Sequence, residues 1–338
     1  MCIRDSFRRL ICFWGPADGR ARRWWQYQTV RAFGTCADKR QSAPSRNVMA
    51  NTVTTRNAVP RGVVVLFAVT AVAITVTLAL GSTVCATDAS ASCPNWPGCY
   101  VGRLTPLDAT QPWVEFIHRV ISASVGLFAL ASVIVGMVYR HADKLLAALP
   151  IVALLGALTS GVFGMMTIKW GINSVEASFD LLAAIISMGA MWRAYFVARK
   201  PRSSWRWNGR TKLGIGAVAF LVIGHFFAVQ VAGCGSLTRC MGWAMFVRGA
   251  GDGPFAGWIA QQAIMGIGML LAIVSLVARW GRRNGWDILC AVFIVIELVV
   301  GVLIAVNGSS HGLGTLHAIP AVLILCLTMT ATMRSARG

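Results

Sequence analysis

The stretch W-V-E-F-I-H-R-V-I-S-A-S-V-G-L-F-A-L-A-S-V-I-V-G-M-V, residues 113–138, decides the fold. From Val120 to Val138 it carries no charge. A helix rising about 1.5 Å per residue over that length crosses most of a hydrocarbon core about 30 Å thick. Its opening breaks the pattern. Glu115, His118 and Arg119 stand at the mouth of the span, where ionisable groups are costly unless something pairs with them or uses them.

Working outward, apolar windows recur at about 63–84, 114–138, 147–167, 175–197, 213–233, 257–278, 287–306 and 313–332. Eight such windows, in a chain that is 56% hydrophobic and 13% charged, imply an all-α membrane protein with eight transmembrane helices and exclude a soluble globular domain. The net charge of +19 first suggests nucleic acid, but its distribution argues otherwise. Alternate connections between spans hold Arg140, Lys144, Arg199, Lys200, Arg202, Arg206, Arg210, Lys212, Arg279, Arg282, Arg283, Arg334 and Arg337. The opposite set holds Arg103, Lys169, Arg239 and Arg248. This asymmetry is a positive-inside signal. It predicts both termini in the cytoplasm, with the chain in a cell (inner or plasma) membrane, surrounded by lipid and binding no nucleic acid.

Residues 1–60 form a basic N-terminal segment with no run long enough to span and no signal-peptide pattern. It is expected to be poorly ordered, or to be read from a start upstream of the true one at Met49. Beyond it the polar linker 198–212 separates four spans (61–197) from four more (213–333). Each half carries a C-x5-C pair in a long outer loop, Cys93 with Cys99 and Cys234 with Cys240. That repetition predicts two pseudo-symmetric four-helix bundles. On an oxidising outer face each pair forms a structural disulfide, serves as redox-active thiols, or stays unpaired. The other six cysteines, Cys85 included, show no such pattern.

His118 and His317 lie at similar depth inside the second and eighth spans, both entered from outside. Counting equally into the fourth and sixth spans gives Asp180 and Gln262. Facing side chains at one level of a four-helix bundle are how a haem is held between helices; the plainer reading is a histidine hydrogen-bonded inside the bundle. His225, His311 and His141 read as structural or exposed. Glu115, three residues before His118, shares its helical face. It accepts a proton, orients the imidazole, or simply caps the helix start. Glu176 is shallow enough to reach water, whereas Asp180 and Glu297 must be protonated, paired, or turned to a cavity.

On C-P-N-W-P-G-C at 93–99, E-F-I-H-R at 115–119, L-H-A-I-P-A around His317 and the two halves of four spans, the chain resembles the haem A synthase family over residues 60–333. The resemblance implies an oxidoreductase that converts haem O to haem A, oxidising the C8 methyl to a formyl group by successive hydroxylations and loss of water. It implies substrate haem O in the N-terminal half and a resident haem b in the C-terminal half. Glu115 and His118 would be the catalytic residues, and His118 and His317 the iron ligands, with Arg119, Asp180 and Gln262 completing the haem contacts. Implied partners are haem O synthase and cytochrome oxidase assembly. The chain departs from the family where a histidine is usual on every even-numbered helix, since two positions hold Asp180 and Gln262. It also lacks the usual T-G-S-G after the first span, reading V-C-A-T-D-A-S-A-S-C at 84–93. The alternative is therefore a non-catalytic haem-binding or haem-delivery protein for oxidase assembly. A repeat-built transporter is disfavoured, because no Gly/Pro-broken helix pair recurs at matching positions.

Overall fold

A computed structural model describes residues 59–90, 92–107, 109–232, 255–282, 284–308 and 310–337. All of them belong to one compact unit, residues 47–338. Residues 1–58 of the N-terminal segment expected to be poorly ordered, and the Cys234–Cys240 pair, lie outside the described residues. Eight long helices follow in order: α1 Arg61–Ala86, α2 Thr110–Val138, α3 Leu145–Lys169, α4 Ser174–Arg199, α5 Gly209–Ala232, α6 Phe255–Val277, α7 Gly285–Asn307 and α8 His311–Ser335. Each is long and apolar enough to cross a membrane, and the described residues contain no β-strand beyond one isolated bridge between Tyr100 and Arg103. The molecule is an all-helical, multi-pass membrane protein.

Most helices overrun their apolar windows by a turn or less, and at α4 and α7 a polar cap opens the added turn. Asn173 opens α4 and Asn284 opens α7, each with a reciprocal capping box whose partner is Glu176 or Asp287. Such boxes satisfy two donors that a helix start leaves unpaired. Glu176, read from sequence as reaching water, is thus engaged in the backbone cap of α4, accepting from Asn173 N at 2.9 Å.

Within the first four helices the neighbours are α1–α2, α2–α3, α3–α4 and α1–α4; in the last four they are α5–α6, α6–α7, α7–α8 and α5–α8. Helices α1, α4, α5 and α8 meet between the two sets. There Phe67, Ile74, Met188, Leu221, Val322 and Leu325 form the main core. Trp192 Nε1 donates to Thr75 Oγ1 at 3.0 Å across it. The approach of α5 to α8 is close: a Cβ on Gly214 would fall 2.2 Å from Thr332 Oγ1. Helices α5 and α6 meet at Gly224 against Met265 and Gly268 against Leu221. Small residues at such crossings let backbones approach where no water-driven force exists.

Helix α8 is the most enclosed. Of its most apolar window, 72% lies inside the protein, against 22% for α2 and α3. It buries Thr328, Thr330 and Thr332, and Thr330 and Thr332 return their hydroxyls to carbonyls of their own helix. The linker between α4 and α5 is pinned against neighbouring elements. Arg206 N donates to Ala336 O, Arg202 N to an Asp143 carboxylate oxygen, and the Arg193 guanidinium lies 4.2 Å over the Trp205 ring. Cys93 and Cys99 are joined as a disulfide. Cys85, which showed no pattern in the sequence, is disulfide-bonded too, while Cys290 and Cys326 are free and buried.

Candidate functional site

The charged opening of α2 and the Cys93–Cys99 loop form one structure. Glu115 and Arg119, spaced i,i+4, share a helix face and are joined directly, Arg119 Nη2 to Glu115 Oε1. The other carboxylate oxygen, Oε2, accepts from the backbone N–H of Cys93 at 2.8 Å and from Ser92 Oγ at 3.0 Å. Arg119 donates in addition to the carbonyls of Asn95, Gly98 and Cys93, at 2.7, 3.0 and 2.8 Å. The guanidinium is a rigid fork of five donors, and here it reads the loop's backbone while Glu115 neutralises it. Glu115 is only 4% exposed. With three donors already on its carboxylate, it holds the loop in place.

His118 lies beside this clamp and turns toward α1. The Cβ of an alanine at Gly81 would sit 3.2 Å from His118 Cε1, so the imidazole packs on bare backbone. His118 Nδ1 is buried and has no hydrogen-bond partner. Buried polar atoms are nearly always paired, so an orphan calls for an explanation. Asp180 on α4 accepts from Ser160 Oγ of α3 at 2.5 Å, one of the outcomes expected for a mid-depth acid.

The last four helices hold a second polar cluster. His317 of α8, 4% exposed, places Nδ1 3.1 Å from Glu297 Oε2 of α7, a proximity that matches one of the three alternatives for Glu297. The contact lacks the alignment of a hydrogen bond, and His317 Nε2 is buried with no partner. Gly301, one turn beyond Glu297, leaves room at the ring: an added Cβ would be 3.8 Å from His317 Cε1. On α6, Gln262 Nε2 donates to Gln261 Oε1 at 2.9 Å, and both residues are buried. Two further residues join this cluster: Gln261, which the sequence did not single out, and His225, which it read as structural or exposed. His225 of α5 is 2% exposed, with Nδ1 buried and unpartnered, and it lies close enough to His317 to interact electrostatically. A histidine inside an otherwise apolar run was its only signal. His311, by contrast, is half-exposed at the N-terminal end of α8 and pairs with Asp88 at 3.0 Å.

These features suit a haem better than a bare metal ion. Among the described residues no group of three or more His, Cys, Asp or Glu could hold a metal ion. A porphyrin supplies four ligands itself and asks one or two of the protein. Orphaned imidazole nitrogens beside glycine backbones meet that demand. The model of the cytochrome oxidase assembly protein family, COX15-CtaA, matches residues 64–248. The chain belongs to this family. A curated relative, the heme A synthase of Shewanella oneidensis, is 26% identical over 132 aligned residues, 34% of this chain. The match spans 39% of that protein's length.

The glycine contacts give a paired test. Gly81→Ala should overpack His118 and destabilise by about 1–3 kcal/mol, with a matching loss of bound haem. Gly301→Ala, at ordinary contact distance, should be neutral or slightly stabilising through better helix propensity. Thermal unfolding and haem content measured side by side check both. Equal behaviour of the two variants would refute the steric argument.

Proposed function

We propose that the protein is a haem A synthase-like oxidoreductase acting on haem O, whose C8 methyl it oxidises to a formyl group, a four-electron step that takes its oxygen from water, releases four protons and passes its electrons to a membrane electron carrier. Substrate is held in the N-terminal half of two related bundles and a resident haem b in the C-terminal half. The observation that carries this reading is His118: a buried imidazole with an unpartnered nitrogen beneath a disulfide loop that Glu115 and Arg119 lock from the same helix. In this reading His118 orients the substrate iron. Glu115 and Arg119 fix the loop that closes the outer side and excludes water, and Glu115 takes up a proton from the reacting group only when the loop's N–H donors release it. Asp180 and Gln262 line the haem sites without supplying imidazoles. In the C-terminal half His317 would hold haem b through Nε2 while Glu297 fixes its Nδ1, as carboxylates commonly do behind ligating histidines. The resident haem, when bound, supplies one-electron transfer. Haem O synthase and the oxidase assembly machinery are the proposed partners, and both termini are placed in the cytoplasm.

One observation favours a second reading, haem binding or delivery without oxidation. Asp180 is bonded to Ser160 and Gln262 to Gln261, so neither offers a strong iron ligand. Haem extracted from membranes expressing the chain alongside a haem O source separates the two. The oxidoreductase yields haem A or its hydroxymethyl precursor. A delivery protein yields haem O unchanged, and that result would overturn the proposed activity.

A further inference from the structure

We infer that the C-terminal haem is held between His317 of α8 and His225 of α5, the α5 imidazole supplying the second axial ligand that α6 does not carry. The inference rests on the proposed presence of a haem in that half and names a residue for it.

Four observations converge. His225 is buried in an apolar helix with an unpartnered Nδ1, so something outside the protein's own donors and acceptors must account for it. Helices α5 and α8 are direct neighbours running antiparallel, in register at Gly214 and Thr332. His225 is 11 residues from Gly214 and His317 is 15 from Thr332, about 16 and 22 Å along the axes at about 1.5 Å per residue. The two histidines therefore sit within about 6 Å of one depth. They lie near enough to interact electrostatically, yet they do not hydrogen-bond: neither His317 nitrogen nor His225 Nδ1 has a hydrogen-bond partner. A structural histidine pair would close that gap with a hydrogen bond. A pair reserved for a group between the rings would leave it open.

The chemistry of the neighbours agrees. The Glu297 carboxylate lies at His317 Nδ1 and leaves Nε2 as the free nitrogen, the usual division of roles in a ligating histidine. On α6 the two glutamine amides bond to each other, and amides are poor iron ligands. With imidazoles on α5 and α8 the site gains a bis-histidine pair from adjacent helices.

The test uses the full chain purified in detergent, with visible and electron paramagnetic resonance spectra and haem counted per chain. The variants are His118→Ala, His317→Ala, His225→Ala and His225→Met. The wild type should show a low-spin haem that survives His118→Ala. His225→Ala should convert that haem to high spin or lose it, and added imidazole should restore the low-spin spectrum. His225→Met, which keeps a side chain of similar volume and a weaker ligand, should shift the spectrum and raise the reduction potential. If either His225 variant keeps the wild-type low-spin spectrum while His317→Ala loses it, His225 is a bystander; this inference falls and the proposed function stands. If no haem survives His118→Ala in the first place, the C-terminal haem is absent and both fall. Should His225→Ala fail to fold, His225→Met decides alone.

Discussion

Arg119→Leu should unfasten the Cys93–Cys99 loop and destabilise the protein by about 3–5 kcal/mol, because it strands the Glu115 carboxylate in a buried site without its cation. Three loop carbonyls lose their donor in the same stroke. Opening the Cys93–Cys99 disulfide by Cys99→Ser should cost less, about 2–3 kcal/mol for so short a loop. The double variant Glu115→Gln/Arg119→Leu should recover part of the loss, since no lone charge remains; non-additivity of that kind marks residues in direct contact. Thermal unfolding in detergent and the rate at which mild reductant opens the loop give the readouts. A melting temperature for Arg119→Leu equal to wild type would show that the clamp does not support the fold.

His118→Ala should reduce formation of haem A and its hydroxymethyl precursor to background while the eight helices remain, since the side chain packs on Gly81 and its Nδ1 has no hydrogen-bond partner to lose. Asp180→His should restore a second imidazole to the N-terminal half and move its haem toward low spin. Extracted haem analysed by chromatography, with visible spectra of the same preparations, checks both. Product formation at the wild-type rate in His118→Ala would remove this residue from the substrate site.

The spans were legible because hydrocarbon thickness sets the length of an apolar run, and their ends were blurred because capping chemistry lies outside that signal. Asn173 with Glu176, and Asn284 with Asp287, show how a polar pair extends a helix past its window. The tie between Glu115 and Arg119 could be read from i,i+4 spacing. Their grip on Cys93, Asn95 and Gly98 could not, because backbone carbonyls carry no sequence identity. The sequence reads His225 as structural or exposed for a related reason. Its significance comes from His317, 92 residues away in the chain, and a lone histidine carries no trace of the neighbour that a tertiary crossing gives it. Ser160 with Asp180, on neighbouring helices, belongs to the same class of tertiary fact.

The enclosure of α8 bears on how the protein is made. This helix follows the other seven in the chain, yet α1, α4 and α5 all pack on it. As synthesis proceeds, those three must wait in the bilayer with their inner faces against lipid or one another until α8 leaves the ribosome. Its buried threonines give it a mean hydropathy of 1.8, against 3.1 for α7, so it enters the membrane less readily than the helix just before it. The waiting helices supply the surface that receives it. A nascent chain halted before α8 would thus expose an unfilled centre to membrane quality-control proteases.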